Sequence, residues 1–298
     1  MPLHWWRPAV VGACLLATAG CATVDEQIAN RIEYILPAQE ASPGDVIPFS
    51  FDLPGAVKAS RVVFLKKAYR VYPRLYVEGN IFTAFVPVPF LTPPGEYALH
   101  CSFRAAGAAE PIRESFPIQV LPDLQVHGEE KIRMRGFDPE ALESDYRKIH
   151  AVLAEADFRN DRIEDFLLPL SGTVVSGYGD ERVYNGRTRV ILRGIEIEPM
   201  VAGSWDVNAA AEGRVVLAEP LKILGNTIVV DHGFSFATLY GYLESIDVDV
   251  GDVVSRGGHL GRVGRTGYAA RGNRLWYQLY VSDTPVNVEK YMERNLFK

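Results

Sequence analysis

Residues 225–233 read Gly-Asn-Thr-Ile-Val-Val-Asp-His-Gly, a run of β-prone side chains with a glycine at each end. Such a run is typical of a β-strand with a tight turn at each end, since glycine tolerates the positive φ of such turns. The same pattern recurs on both sides of it. The clearest examples are Gly213–Leu217, Thr238–Leu243, Val248–Val254 and Gly261–Gly267. Residues from about 171 to 292 are therefore predicted to form one domain of short antiparallel strands.

A second β-prone region covers residues 29–122. Its short apolar runs are separated by turn signals such as Pro43-Gly44-Asp45 and Pro93-Pro94-Gly95. This spacing favours a small β-sandwich of immunoglobulin type. The region contains no cluster of catalytic groups, so we interpret it as a spacer, a docking module or a purely structural domain. The thiol of Cys101 is predicted to pack in its core.

Residues 123–170 are predicted to be a connector with one helix. Asp138 and Pro139 are suited to the N-cap and the first helical turn. Leu142, Tyr146 and Ile149 then follow at helical spacing. The fold class expected for the whole chain is mostly β, with this one connecting helix.

The composition restricts the function classes. The chain has 298 residues, with 48% hydrophobic and 23% charged side chains, as in ordinary globular proteins. Its 37 acidic residues outnumber its 31 Lys and Arg, which gives a net charge of −6. This balance argues against a nucleic-acid partner. Three cysteines are too few for a disulfide scaffold.

The first 20 residues are predicted to be a signal peptide. A short basic start precedes the apolar run Ala9–Ala19, which is too short to span a bilayer. The following Gly20-Cys21 resembles the cleavage box of bacterial lipoproteins, which implies acylation at Cys21 and a membrane anchor. An ordinary secretory signal is the alternative. Under either interpretation the protein is exported. Ala22, rather than Asp, after Cys21 resembles the sequence of lipoproteins sent to the outer membrane, which implies a position on its periplasmic face.

The turns of the C-terminal domain resemble those of one enzyme family. They include V-x-A-x-x-x-G-x-V at Val207–Val215, V-x-x-G-D-x-V at Val248–Val254 and G-x-V-G-x-T-G at Gly261–Gly267. Together they are similar to the lysostaphin/LytM-type zinc endopeptidases, which cut peptidoglycan. The resemblance implies a compact antiparallel β fold, the duplicated hybrid motif, with zinc in a groove.

The residues that this resemblance assigns to catalysis are altered. The zinc-ligand positions hold Leu192, Glu196 and Trp276, and the positions of two assisting histidines hold Tyr242 and Arg274. Leucine offers no lone pair, and the indole nitrogen of tryptophan is only a donor. One carboxylate cannot hold zinc alone. The resemblance therefore implies a pseudoenzyme that has no catalytic residue, metal or other cofactor.

Two interpretations of the altered groove remain open. Glu196 and Arg274 are hypothesised to form an ion pair at the former metal position. The aromatic side chains either offer a stacking surface or only fill an abandoned cavity. The candidate groove residues are Glu196, Trp205, Tyr242, Arg274, Trp276 and Tyr277.

Two function classes follow from the resemblance. The first is a non-catalytic envelope protein that activates a cell-wall amidase or binds peptidoglycan. The second is an active peptidoglycan metalloendopeptidase, which the lost ligands oppose.

Overall fold

The computed structural model describes residues 33–35, 39–52, 57–73, 81–105, 110–125, 127–158, 165–200, 205–269 and 272–292. The chain divides into two compact units, residues 1–122 and 123–298. The predicted signal peptide and Cys21 lie outside the described residues. Within the described part, no helix is both long and apolar enough to cross a membrane.

The first unit is built from two β-sheets. The strands are β1 (Glu33–Ile35), β2 (Glu40–Ala41), β3 (Val46–Asp52), β4 (Val57–Phe64), β5 (Lys67–Tyr69), β6 (Tyr72–Pro73), β7 (Ile81–Pro87), β8 (Gly95–Ala105) and β9 (Ile112–Val120). Four strands form one sheet in the order β1-β3-β7-β6, and five form the other in the order β2-β9-β8-β4-β5.

Both sheets contribute to one apolar core in this unit. Phe51 of β3 and Phe103 of β8 meet edge to face, with ring centroids 4.6 Å apart. Cys101 is buried in the same core, as predicted. The immunoglobulin type of this arrangement stays a prediction.

The second unit is also mostly β, and its largest sheet has ten antiparallel strands. The mostly β fold class is confirmed. The strands are β10 (Glu129–Ile132), β11 (Gly172–Ser176), β12 (Glu181–Tyr184), β13 (Thr188–Ile191), β14 (Ile195–Pro199), β15 (Asp206–Asn208), β16 (Gly213–Leu221), β17 (Gly225–Gly233), β18 (Phe236–Ile246), β19 (Val253–Val254), β20 (His259–Val263), β21 (Leu275–Val281) and β22 (Thr284–Val286). A short 3-10 helix covers Val288–Lys290.

The predicted helix is present as α1 (Pro139–Glu155), and the Asp138 carboxylate caps it by accepting the N–H of Glu140. It packs against β16. Upstream of it, β10 pairs in parallel with β12 and forms a three-stranded sheet with β12 and β13. The segment that resembles a connector in sequence is therefore an integral part of the second unit.

Candidate functional site

Three adjacent strands carry most of the altered positions. Glu196 on β14 lies directly opposite Trp276 on β21, and Trp276 in turn lies opposite Gly241 on β18. Arg274 precedes Trp276 by two residues, so both side chains project from the same face of the strand. The β-sheet thus brings the former ligand positions to one place.

The carboxylate of Glu196 accepts hydrogen bonds from two guanidinium groups. Its Oε1 atom accepts a hydrogen bond from Arg182 Nη1 at 2.8 Å. Its Oε2 atom accepts from Arg182 Nη2 at 2.8 Å and from Arg274 Nη1 at 2.9 Å. The ion pair between Glu196 and Arg274 that we predicted is therefore present, and Arg182 adds a two-point contact of the kind that guanidinium and carboxylate favour.

The charge of Glu196 is stabilised despite its complete burial. Burial alone would raise the pKa of this carboxyl group, since a charged group loses water there. The hydrogen bonds and positive charge of Arg182, followed by those of Arg274, outweigh burial and hold the pKa of Glu196 below its ordinary value. Glu196 is therefore an anion whose lone pairs are already shared between two cations.

Arg182 was not among the predicted site residues. It lies on β12, with 1% of its side chain exposed, and it also donates from Nε to Glu130 at 3.1 Å. Its pKa is affected first by burial, which lowers it, but the contacts with Glu196 raise it overall. The sequence contains one signal that a buried cation is needed nearby. Glu196 stands between Ile195 and Ile197 in a strand. A carboxylate buried there needs a partner, yet the pattern does not say which cation supplies it.

Trp276 fills the space between neighbouring strands. Trp276 is only 2% exposed. A Cβ atom added to Gly194 would lie 3.2 Å from Trp276 Cη2, and one added to Gly241 would lie 3.4 Å from Cδ1. The indole ring therefore lies against both glycines. At Gly194 the nearer obstacles to a Cβ atom are Gln278 Cγ and the Tyr277 carbonyl oxygen, each at 2.5 Å.

Tyr242 occupies a β-bulge in strained backbone. Asn226 pairs with Leu243 and Ile228 pairs with Tyr240, so β18 contains one more residue than β17 between these pairs. Tyr242 lies at this bulge with φ of 66°, a left-handed conformation that is uncommon for a non-glycine residue. Bulges of this kind redirect a side chain towards a site. Burial and then the charge of Glu196 raise the pKa of Tyr242 well above its ordinary value.

An apolar cluster closes over the altered positions. Leu192, Tyr242 and Trp276 share it with Ile149 and Leu153 of α1. Tyr146 of the same helix packs against this cluster as well. Burial raises the pKa of Tyr146, and contacts with Arg193, Trp276 and Gln278 oppose that shift. The helix therefore covers the groove side of the sheet.

The carboxylate of Asp145 attaches α1 to the loop beside the groove. It accepts the backbone N–H groups of Lys222, Ile223 and Leu224, at 3.2, 2.7 and 3.1 Å. The carbonyl of Leu224 in turn accepts the N–H of Tyr242 at 2.8 Å. A chain of hydrogen bonds thus joins the helix to the bulge.

These contacts correct one interpretation of the aromatic residues. Tyr242, Trp276 and Tyr277 are all buried, so none of them presents a face on which a ligand could stack. The prediction of a stacking surface is wrong for these three, because the helix and the neighbouring strands occupy that space. Tyr277 lies on the opposite face of β21 from Trp276 and packs near Tyr240. Trp205 is half-buried and makes no described contact with the cluster.

The donor set does not suit zinc. Zinc needs imidazole, thiolate or carboxylate donors with available lone pairs. Leu192 and Trp276 supply none, and Glu196 would have to give up three charge-assisted hydrogen bonds. Elsewhere in the described ranges, no three His, Cys, Asp or Glu side chains come together as a metal site.

His232 is a buried structural group close to the end of β17. Its Nδ1 atom lies 2.8 Å from the carbonyl oxygen of Glu212, and its Nε2 atom lies 2.7 Å from Thr238 Oγ1. Burial lowers its pKa to about 4, although the hydrogen bond to the Glu212 carbonyl acts in the opposite direction. The imidazole is therefore neutral at pH 7 and holds two strands together.

Part of the second unit matches a known protein family. Residues 191–288 match the sequence model of peptidase family M23. The chain is 30% identical over 126 residues to the murein hydrolase activator EnvC of Escherichia coli, covering 42% of this chain and 28% of EnvC. It is 38% identical over 84 residues to the peptidoglycan DD-endopeptidase ShyA of Vibrio cholerae, covering 28% of this chain and 19% of ShyA. The chain therefore spans less than a third of either relative.

One solved structure resembles most of the chain. It is a crystal structure of a Pseudomonas aeruginosa protein assigned to peptidase M23, with a TM-score of 0.59 and 24% identity. The match covers 84% of this chain and 93% of that protein. This likeness concerns the fold alone.

Proposed function

Since the second unit carries a domain of peptidase family M23, we propose that this protein is a non-catalytic member of the family. It acts in the bacterial cell envelope by binding, and the bound partner is a cell-wall amidase that it activates or peptidoglycan that it holds. The observation that supports the loss of catalysis is the carboxylate of Glu196, which is shared between Arg182 and Arg274.

The chemistry of the groove supports this proposal. Peptide hydrolysis by a zinc enzyme requires the metal to lower the pKa of bound water from 15.7 to about 7. No such step is available to Leu192, Trp276 or a carboxylate already held by two cations. Tyr242 and Arg274 cannot replace a general base either, because burial raises the pKa of the phenol and a guanidinium stays protonated.

The proposed place of action follows from the N-terminal residues. Cleavage before Cys21 and its acylation would tether the protein to the membrane, at the periplasmic face of the outer membrane. Residues 29–122 of the first unit then serve as a spacer or docking module, and residues 171–292 carry the peptidase-like domain. EnvC is described as an activator of murein hydrolases, which supports the amidase arm of the proposal.

A first experiment separates binding from catalysis. Purified protein beginning at Cys21 is analysed for zinc and incubated with muropeptides, with an active family M23 enzyme as the positive control. We expect less zinc than one atom per chain and no cleavage. Stoichiometric zinc together with cleavage would establish the alternative, an active peptidoglycan metalloendopeptidase, for which the relative ShyA is the supporting observation.

A second experiment separates the two binding roles. The protein is mixed with candidate amidases and dye-labelled sacculi, and dye release is measured with and without it. Stimulated release supports amidase activation. Co-sedimentation with sacculi without stimulation supports a scaffold. Absence of both effects would contradict the proposal.

A further inference from the structure

Three exposed arginines gather at the end of the three-stranded sheet. Arg133 and Arg135 follow β10, and Arg187 lies in the turn between β12 and β13. Among the described residues, no carboxylate lies within ion-pair distance of any of them. This local excess of positive charge is notable in a chain with a net charge of −6.

The backbone that carries these arginines is held in place by Asn185. Its Oδ1 atom accepts the N–H of Met134, and its Nδ2 atom donates to the Met134 carbonyl, both at 2.8 Å. Asn185 and Gly186 have φ of 54° and 71°, which gives a tight hairpin turn. Arg133 and Arg135 flank Met134 directly, so this carboxamide fixes them beside the turn that carries Arg187.

Aromatic contacts hold the following residues. Phe137 stacks on Tyr184, with centroids 3.7 Å apart and an interplanar angle of 6°. The Tyr268 hydroxyl donates to the carbonyl of Gly136 at 2.7 Å. The arginines therefore extend from a fixed backbone, which reduces the entropy lost when they bind a partner.

We propose that Arg133, Arg135 and Arg187 form a docking surface for an extended acidic segment of a partner protein. In an extended chain, residues two apart are separated by about 6.6 Å and face the same side. An acidic partner segment in this conformation presents alternate carboxylates on one side, which Arg133 after β10 and Arg135 and Arg187 in the adjoining turns can contact. The guanidinium fork binds carboxylates at two points, so arginine suits this contact better than lysine.

The limits of the cluster favour a protein segment over a larger polyanion. Further along the sheet, Arg189 is paired with Glu181 and Glu129, and Lys131 is paired with Glu129. The positive surface therefore ends within a few residues. The large exposed apolar side chains of the described part lie elsewhere, which disfavours insertion into a membrane. They are Leu91, Leu124, Val174, Val175, Met200, Val250 and Val253.

The test compares two variants with the same loss of charge. One is Arg133→Gln/Arg135→Gln/Arg187→Gln, and the control is Arg113→Gln/Arg262→Gln/Arg265→Gln, in which the three arginines are also exposed. The probe is a fluorescent peptide of alternating Glu and Thr, with a Gln-Thr peptide for comparison, and binding is measured by anisotropy. Vesicles of phosphatidylethanolamine and phosphatidylglycerol form a separate arm.

We expect the variant Arg133→Gln/Arg135→Gln/Arg187→Gln to bind the Glu-Thr peptide about tenfold more weakly than the native protein, since three positive charges opposite its carboxylates are lost. The control variant should stay within about twofold, and the Gln-Thr peptide should bind poorly. Equal losses in both variants, or vesicle binding that depends on the three arginines without peptide binding, would overturn the proposal. The inference rests on the proposed function only in taking the partner to be a protein, and its readout involves neither zinc nor dye release.

Discussion

Arg182 and Glu196 form a two-point ion pair in which 1% of one side chain and none of the other is exposed. The two residues come from β12 and β14. A buried pair of this kind contributes little net stability compared with apolar residues, but losing one partner leaves an unpaired charge in the interior. The pair therefore engages both oxygen atoms of Glu196 and makes the fold sensitive to either residue.

The substitution Arg182→Met should lower the free energy of unfolding by about 3–5 kcal/mol, since Glu196 then loses its two-point partner. Denaturation with urea at pH 7 measures this change. The control is Arg189→Met, which removes an exposed contact with Glu181 and should change stability by less than about 1 kcal/mol. The double variant Arg182→Met/Glu196→Gln should lose less than the sum of the two single losses. Simple additivity would show that the two residues are not coupled.

The buried His232 should make stability depend on pH in a defined window. Its pKa is about 4 in the folded protein and 6.5 in the unfolded chain, so the unfolded chain binds the extra proton between these values. Stability is therefore complete above pH 6.5 and falls as the pH drops towards 4, by about 3 kcal/mol. Glu196, whose pKa is lowered from 4.5, adds a further loss of stability only as the pH falls below about 4.5.

Urea denaturation at pH 7.5, 6, 5 and 4.5 follows this effect. In the variant His232→Gln the side chain no longer titrates, so the slope between pH 6.5 and 4.5 should become shallower even if the variant is less stable overall. An unchanged slope would show that another group is responsible.

The strands could be predicted from the sequence, because glycine turns and β-branched runs are local signals. The ion pair of Glu196 with Arg274 could be predicted because the resemblance placed both residues at the former metal site. Arg182 could not, since nothing in its strand distinguishes a buried arginine from an exposed one. Filling of the groove by aromatic side chains was one of the two open alternatives, and the sequence could not decide between them. The outcome depends on α1, which resembles a connector in sequence and reaches the site through long-range packing of Tyr146, Ile149 and Leu153 and the hydrogen bonds of Asp145.

The contact of Asp145 with the loop at 222–224 predicts a local effect. In Asp145→Ala, three backbone N–H groups lose a charged acceptor, and stability should fall by about 3 kcal/mol or more. Amide hydrogen exchange should become faster at residues 222–224 and at Tyr242, whose N–H is bound by the Leu224 carbonyl. Asp138→Ala removes the helix cap and the ion pair with Lys222 Nζ, but it leaves the acceptor of the three loop N–H groups in place and should leave exchange at Tyr242 unchanged. Faster exchange throughout the second unit would indicate global destabilisation instead.

Restoring metal ligands tests whether Arg182 keeps metal out. Leu192→His/Trp276→His combines two imidazoles with Glu196, a donor set found in zinc enzymes. We expect this double variant to bind Co²⁺ weakly, because Glu196 remains bound to Arg182 and Arg274. Adding Arg182→Met should strengthen binding by about tenfold or more, since it frees two hydrogen-bonded contacts of the carboxylate and removes a nearby positive charge. Co²⁺ absorption measures the affinity, circular dichroism checks the fold, and Arg189→Met in the double variant is the matched control. If the double variant alone binds Co²⁺ as tightly as the triple variant, the Arg182–Glu196 pair is not what excludes metal from this groove.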